Sequence, residues 1–137
     1  MRILALDVGS KRIGLAVSDE LGFIAQALKT LDTKGRQRDI DSIIRIVNEM
    51  DVSEIVVGMP YNMNGSEGPQ AQKVSEFADQ LSRATSVPVL KWDERMSTLA
   101  AEKILLEADL SRLKRRKVID KVAAAIILQG YLDSKRT

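Results

Sequence analysis

The sequence contains neither cysteine nor histidine among its 137 residues, and only 4% of them are aromatic. A thiol nucleophile, a Ser-His-Asp triad and a zinc finger are therefore excluded, because each needs one of the missing residue types. Catalytic and metal-binding groups are expected mainly from Asp, Glu, Lys, Arg, Tyr, Ser and Thr. Oxygen ligands of this kind suit Mg²⁺ or Mn²⁺ better than Zn²⁺ or Cu²⁺, and they point to phosphate chemistry.

The sequence also lacks long apolar runs and a large net charge. No segment approaches the roughly 18 apolar residues of a membrane span, and Met1 leads into a strand pattern without a signal peptide. We therefore predict a cytoplasmic protein with no membrane partner. The length of 137 residues, without a linker that could divide it, predicts a single domain, 1–137, and the 45% hydrophobic content with few aromatic residues predicts an aliphatic core. The net charge of +2 is too small to indicate a nucleic-acid partner, so the distribution of charge must be considered.

Hydrophobic periodicity predicts an α/β fold with the element order βββαβαβαα. The predicted strands are 2–8, 13–18, 23–31, 54–58 and 87–92, and the predicted helices begin at 39 and 69 and cover about 97–108 and 115–134. Gly14, Ala16 and Ser18 put small residues on one face of the second strand. Right-handed crossovers predict a mixed five-stranded sheet of order 3-2-1-4-5 flanked by helices, with the third strand antiparallel at one edge.

Three acids are candidate catalytic and metal-binding residues because each follows or faces a predicted sheet edge. Asp7 closes the first strand and Glu94 follows the fifth, while Asp120 lies in the last helix. Two divalent ions about 3.5–4 Å apart on such carboxylates could hydrolyse a phosphodiester bond. The alternatives are that Asp7 accepts turn hydrogen bonds, that Asp120 is a surface acid, and that Asp93, beside Glu94, is a helix cap.

Helical spacing in the last helix predicts how Asp120 could reach the sheet. The predicted buried face consists of Ile119, Val122, Ala123, Ile126 and Gly130, with Asp120 at its rim. The small Ala124, one turn after Asp120, should allow the helix to approach the sheet closely.

Basic and polar segments provide candidate nucleic-acid contacts. A basic run in the last helix contains Arg115, Arg116 and Lys117 directly before Asp120, and Lys34, Arg36 and Arg38 form a second patch. Further candidates are Lys11 and Arg12 after the first strand, Asn62 and Ser66 in the glycine-containing loop 61–68, and Arg95. The alternatives are a solvated charged face, a mobile loop tip and, for Arg95, a local salt bridge with its acidic neighbours.

Four separated segments together resemble one protein family. They are Leu6-Asp7-Val8-Gly9-Ser10-Lys11-Arg12-Ile13-Gly14, Val57-Gly58-Met59-Pro60 with Asn62-Met63-Asn64-Gly65-Ser66-Glu67-Gly68, Asp93-Glu94-Arg95-Met96-Ser97-Thr98, and Ile119-Asp120-Lys121-Val122-Ala123-Ala124. In this order they resemble the YqgF family, the Holliday-junction-resolvase-like proteins described as nucleases of pre-16S ribosomal RNA.

The resemblance implies a ribonuclease H-like fold, similar to that of the RuvC resolvases, and a hydrolytic role in maturing the 5′ end of small-subunit ribosomal RNA. Ribosomal RNA or another structured nucleic acid is the implied partner, together with the ribosome. The family's acids correspond to Asp7, Glu94 and Asp120, with Asp93 as a substitute for Glu94. Gly58 and Pro60 stand where resolvases proper carry an acid, so the second carboxylate has to come from the fifth strand.

Three other functions fit parts of the pattern. A Holliday junction resolvase would use the same fold and acids, and a non-catalytic RNA-binding module in ribosome assembly would keep the fold alone. The Asp7-x-Gly9 turn before a hairpin also resembles the phosphate-binding turn of actin-like and sugar kinases. Those kinases close two such lobes around ATP, whereas 137 residues provide one.

Overall fold

The computed structural model describes residues 1–99, 102 and 112–136, with side chains from residue 118 onward in the last range. Its strands are β1 (Arg2–Val8), β2 (Arg12–Ser18), β3 (Ala25–Asp32), β4 (Val52–Met59) and β5 (Val89–Asp93). Its α-helices are α1 (Arg36–Glu49), α2 (Pro69–Ala84) and α3 (Arg112–Ser134), and a 3₁₀ turn follows β5 at Glu94–Met96. The predicted helix at about 97–108 lies mostly outside the described residues.

The strands form one mixed sheet in the order β3-β2-β1-β4-β5, as predicted. β1 pairs antiparallel with β2 and parallel with β4, and β3 lies antiparallel at one edge. β5 occupies the other edge, and Pro88, which has no N–H to donate, lies directly before its first residue, where the Pro88 carbonyl accepts a bond from Ile55 N.

Each face of the sheet carries its own core. Side chains including Leu6, Leu15 and Val57 pack with α1 and α2 on one face. Ala5, Ala16 and other residues pack under α3 on the opposite face, where α3 contacts β1, β2 and β3. The alternation along β1 therefore decides which helices each side chain meets. Among the described residues, no helix combines the length and apolarity that crossing a bilayer requires.

Several predicted boundaries differ from the structure by two or three residues, and for two of them the reason is local. β3 begins at Ala25 and not at Phe23, because the N–H groups of Phe23 and Ile24 both donate to Asp19 Oδ1 and are held outside the ladder. α1 begins at Arg36 and not at Asp39, because its first turn consists of polar residues that carry no apolar period.

Of the predicted buried face of α3, Ile119 and Ala123 are confirmed, whereas the other positions were wrong by about one residue. The buried residues include Ala123, Ala124, Ile127, Leu128 and Tyr131, whereas Val122, Ile126 and Gly130 are only half-buried. Asp120 precedes Ala123, Ala124 and Ile127 by three, four and seven positions, so it lies on the same side of α3 as these buried residues.

Candidate active site

Asp7 lies near the carboxyl end of β1 on the face covered by α3. Its side chain shares this face with Ala5, which packs under α3, because side chains two apart on a strand point the same way. The register pairs Asp7 with Gly14 of β2, and continuing the β1–β4 register by one residue places Gly58 on the other side. Both neighbours of Asp7 across the sheet therefore lack a side chain, which leaves room for groups from other elements.

Glu94 reaches this face from the 3₁₀ turn after β5. Its Oε2 atom lies 3.2 Å from the position that a Cβ on Gly58 would occupy, so the carboxylate lies directly over Gly58. Glycine leaves this space open, since a Cβ here would displace the Glu94 carboxylate and would come within 2.6 Å of the Ile127 Cδ1 methyl. The bare strand end thus lets Glu94 approach the neighbourhood of Asp7.

Asp93 caps the 3₁₀ turn after β5, as the alternative interpretation of this residue predicted. Its Oδ1 accepts a bond from Arg95 N at 2.9 Å and caps the turn, while Oδ2 lies 2.7 Å from Arg95 Nη2. The guanidinium of Arg95 lowers the pKa of the Asp93 carboxyl, and desolvation opposes this only in part. The adjacent acids therefore have different surroundings, with Asp93 bound to Arg95 and Glu94 directed to the sheet.

Asp120 comes to the same face because α3 packs directly against β2. A Cβ on Gly14 would lie 1.9 Å from the Asp120 carbonyl oxygen, which is an impossible contact for any other residue. The closest approach is thus made possible by Gly14, and the small Ala124, one turn further along, is fully buried in the core between α3 and the sheet. The Asp120 carboxylate is bound by Arg12, whose Nε lies 2.7 Å from Oδ2.

Asp7 lies between two glycines in one row across the sheet, and each glycine is contacted by one of the other two acidic residues. Neighbouring strands are roughly 4.8 Å apart, so Gly14, Asp7 and Gly58 together span about 10 Å, with Asp7 in the middle. Across the part of the chain that the structure describes, no three acidic side chains are already close enough to hold a metal ion. The donors nevertheless fit Mg²⁺ or Mn²⁺ in chemistry, since all are carboxylate oxygens. An ion bound there would compete with the Arg12 guanidinium for the Asp120 carboxylate.

Two of the basic candidates are engaged in contacts within the chain. Arg12 pairs with Asp120, and both side chains are about three-quarters buried, at 24% and 25% exposed. Arg95 pairs with Asp93 and donates from Nη1 to the Met63 carbonyl at 3.0 Å, which ties the 3₁₀ turn to the loop 61–68. The salt bridge that was one interpretation of Arg95 is therefore present, and a phosphate contact by Arg95 stays a prediction.

The loop 61–68 is held together by its own hydrogen bonds. Asn62 Nδ2 donates to Ser66 Oγ at 3.0 Å, and Ser66 Oγ donates to Asn64 Oδ1 at 2.6 Å. Gly65 adopts φ 87°, which favours glycine, and its N–H donates to the Asn62 carbonyl. Asn62 and Ser66 thus build the loop, and their predicted contact with nucleic acid stays a prediction.

The remaining basic candidates are Lys11 and three residues in the first turns of α3. Lys11 is exposed in the β1–β2 turn, which a bond from Gly9 N to the Arg12 carbonyl closes at 2.9 Å. The side chains of Arg115, Arg116 and Lys117 lie outside the described part of the chain, so their predicted contact with nucleic acid stays a prediction.

Sequence reasoning missed the structural roles of Gly14 and Gly58. The small residues on one face of β2 were a usable signal for Gly14, because a face without side chains invites a close helix. The sequence showed only that Gly58 stands where resolvases proper carry an acid. That Gly58 leaves space for the Glu94 carboxylate could not be predicted, because the two residues are 36 positions apart in the sequence.

Known proteins resemble this chain in sequence over nearly its whole length. A family model described as "RuvX: Holliday junction resolvase" matches residues 1–134. A protein of Thermoanaerobacter pseudethanolicus is 52% identical over 137 residues, covering 99% of each chain. One of Clostridioides difficile is 54% identical over 134 residues, covering 98% of this chain and 95% of the relative. Both relatives are named "Putative pre-16S rRNA nuclease".

Two solved structures share the fold at low sequence identity. RuvC of Thermus thermophilus, in complex with a Holliday junction, has a TM-score of 0.63 at 16% identity, covering 99% of this chain and 96% of RuvC. The fowlpox virus resolvase, in complex with Holliday junction DNA, has a TM-score of 0.61 at 12% identity, covering 100% of both chains. With the sheet order 3-2-1-4-5, these similarities confirm the ribonuclease H-like fold.

Proposed function

The chain belongs to the RuvX family, which is the YqgF family that its motifs resemble. We therefore propose that it is a divalent-metal-dependent nuclease of structured nucleic acid. Asp7, Glu94 and Asp120 are its proposed catalytic and metal-binding residues. Its proposed substrate is precursor 16S ribosomal RNA, cleaved to mature the 5′ end. The proposed place of action is the cytoplasm, where the ribosome and its precursor RNA would be the partners.

One observation carries this proposal: acids from two other elements approach Asp7 over two glycines. Glu94 lies over Gly58, and the backbone of Asp120 contacts Gly14. Gly14 and Gly58 each allow another element to approach the sheet closely, and in both cases that element carries a carboxylate. All three acids are half-buried, so the solvent side remains accessible to a substrate.

The chain's own residues suggest how a phosphodiester would be held and cut. A Mg²⁺ or Mn²⁺ ion bound by Asp7, Glu94 and Asp120 would supply an activated water and charge stabilisation at the leaving oxygen. Arg12 lies beside Asp120, and a guanidinium can bind two phosphate oxygens at once. We therefore assign Arg12 to the phosphate when the Asp120 carboxylate no longer holds it.

RNA is the favoured substrate because of the close relatives. Proteins 52–54% identical over nearly the whole chain bear the name of a pre-16S rRNA nuclease. Holliday junction cleavage is the second candidate, favoured by the description of the family model. Against it, β4 ends in Gly58 and Met59 and is followed by Pro60, without the acid that is typical of resolvases proper.

Cleavage of defined substrates tests the proposal. The purified chain is incubated with precursor 16S RNA and with a four-way DNA junction, each with Mn²⁺, Mg²⁺ or EDTA. We expect metal-dependent cleavage of the RNA near its mature 5′ end. Asp7→Asn, Glu94→Gln and Asp120→Asn should each reduce the rate by at least about a hundredfold, because removing single groups that act on the transition state has effects of that size.

Asp133→Asn is the matched control, since this acid lies on the same helix as Asp120 and is exposed. The control should cleave like the unmodified chain. RNA binding without any metal-dependent cleavage would refute the nuclease and favour the RNA-binding module. Cleavage of the junction alone would replace RNA by DNA as the substrate.

A further inference from the structure

A cleft with two basic residues on its rim lies on the opposite side of the sheet from Asp7. It is a cleft of about 200 Å³ between the β1–β2 turn, the start of α1 and the first turns of α2, here called the α1–α2 cleft. Its floor is apolar, with Val8, Ile13 and Phe77, and its rim is polar, with Ser10, Arg36 and Lys73. None of these rim residues belongs to the proposed catalytic machinery.

The two cations of the rim are exposed and are not neutralised within the chain. Among the described residues, no carboxylate forms an ion pair with Arg36 or Lys73. One acid, Asp39, contributes to the lining, but it is only 7% exposed and its Oδ1 accepts a bond from Lys34 N at 3.0 Å. The cleft therefore presents unpaired positive charge beside a hydroxyl, which is a suitable environment for a phosphate group.

The cleft is close to Asp7 along the chain. Asp7 is the last residue of β1 that faces α3, Val8 next to it lines the cleft, and Ser10 follows in the exposed turn. Three residues of extended chain span at most about 10 Å. A polynucleotide that crosses this turn would thus meet the acids on one side and the α1–α2 cleft on the other.

We propose that the α1–α2 cleft binds a backbone phosphate of the polynucleotide substrate, away from the phosphate that is cleaved. Arg36 and Lys73 supply the charge, and Ser10 supplies a hydrogen bond. The inference rests on the proposed function, because it extends the substrate of the same protein over the β1–β2 turn. A phosphate contact of this kind carries no sequence information and positions the strand for cleavage.

Binding without cleavage tests this site separately from catalysis. The Asp7→Asn chain is titrated with fluorescently labelled precursor RNA in EDTA at several salt concentrations, and anisotropy gives the Kd. The Arg36→Ala/Lys73→Ala pair is compared with Arg45→Ala/Arg83→Ala, which removes two exposed cations from the same helices outside the cleft. Thermal melting verifies that both variants are folded.

We expect the cleft pair to weaken binding by about tenfold and to lower the slope of log Kd against log salt by about 1 to 2. The control pair should change the Kd by less than about twofold and leave the slope unaltered. Equal losses in both pairs, or none in either, would overturn the cleft. If the parent chain binds no polynucleotide at all, the proposed function fails together with the cleft.

Inorganic phosphate, titrated by calorimetry, separates a polynucleotide site from a site for a small free anion. Displacement of RNA by phosphate in the parent chain, but not in the cleft pair, supports the proposal. Phosphate binding that the cleft pair abolishes, while RNA binding stays unchanged, would mean that the cleft holds a small anion and would overturn the proposal.

Discussion

Replacing Gly14 by alanine tests the helix–sheet contact that brings Asp120 to the site. The new Cβ would lie 1.9 Å from the Asp120 carbonyl oxygen, 2.3 Å from its carbonyl carbon and 3.0 Å from Lys121 N. An ordinary carbon–oxygen contact of roughly 3.4 Å requires α3 and β2 to separate by about 1.5 Å. Overpacking costs typically about 1–3 kcal/mol, and the upper end applies because backbone atoms cannot rotate away. For a domain of this size, about 3 kcal/mol lowers the melting temperature by about 10 °C.

Thermal melting of Gly14→Ala, followed by circular dichroism, measures this cost. The control is Gly22→Ala, where φ is 76° and no atom lies within 4 Å of the added Cβ, so only backbone strain of about 1 kcal/mol is expected. Cleavage by Gly14→Ala should fall more than its folded fraction does, because the shifted helix carries Asp120 away from Asp7. Melting of Gly14→Ala at the temperature of the unmodified chain would refute the direct packing of α3 on β2.

Two further substitutions test individual contacts. Arg12→Gln leaves the Asp120 carboxylate without its ion pair and should lower the free energy of unfolding by about 1–2 kcal/mol. Because no guanidinium then competes for the carboxylate, Mn²⁺ should raise the melting temperature of this variant more than that of the unmodified chain. An equal rise in both proteins would contradict this competition. Burial and the hydrogen bond to Glu54 raise the pKa of the Tyr131 phenol. The folded state therefore holds this proton more tightly, so the unfolding free energy in urea should fall as the pH rises above 10, and Tyr131→Phe should lose that part of the fall.

The sheet could be predicted from the sequence because its signals are local. The apolar run of β1, the alternation in β2 and the position of Pro88 fixed the strand order through general connection rules. The start of β3 could not be predicted from propensity, since it depends on the side chain of Asp19 taking the N–H groups of two residues that look suitable for a strand.

The site could be predicted only as a set of residues and not as an arrangement. Asp7 lies near the end of β1 and Glu94 follows β5, and both strands end at the same edge of the sheet, so the topology alone could predict that these two residues lie on one side of the molecule. The Arg12–Asp120 pair joins residues 108 positions apart, and no local pattern reports it. The rotation of α3 was also missed, because Val122 and Ile126 look as apolar as the residues that are in fact buried, and only the packing against β2 distinguishes them.

Calorimetric titration of Mn²⁺ tests most directly whether the three acids form one site. The unmodified chain should bind the ion, and Asp7→Asn, Glu94→Gln and Asp120→Asn should each weaken that binding by about tenfold or more, while Asp133→Asn leaves it unchanged. Binding that none of the three substitutions weakens would contradict a shared site for these carboxylates.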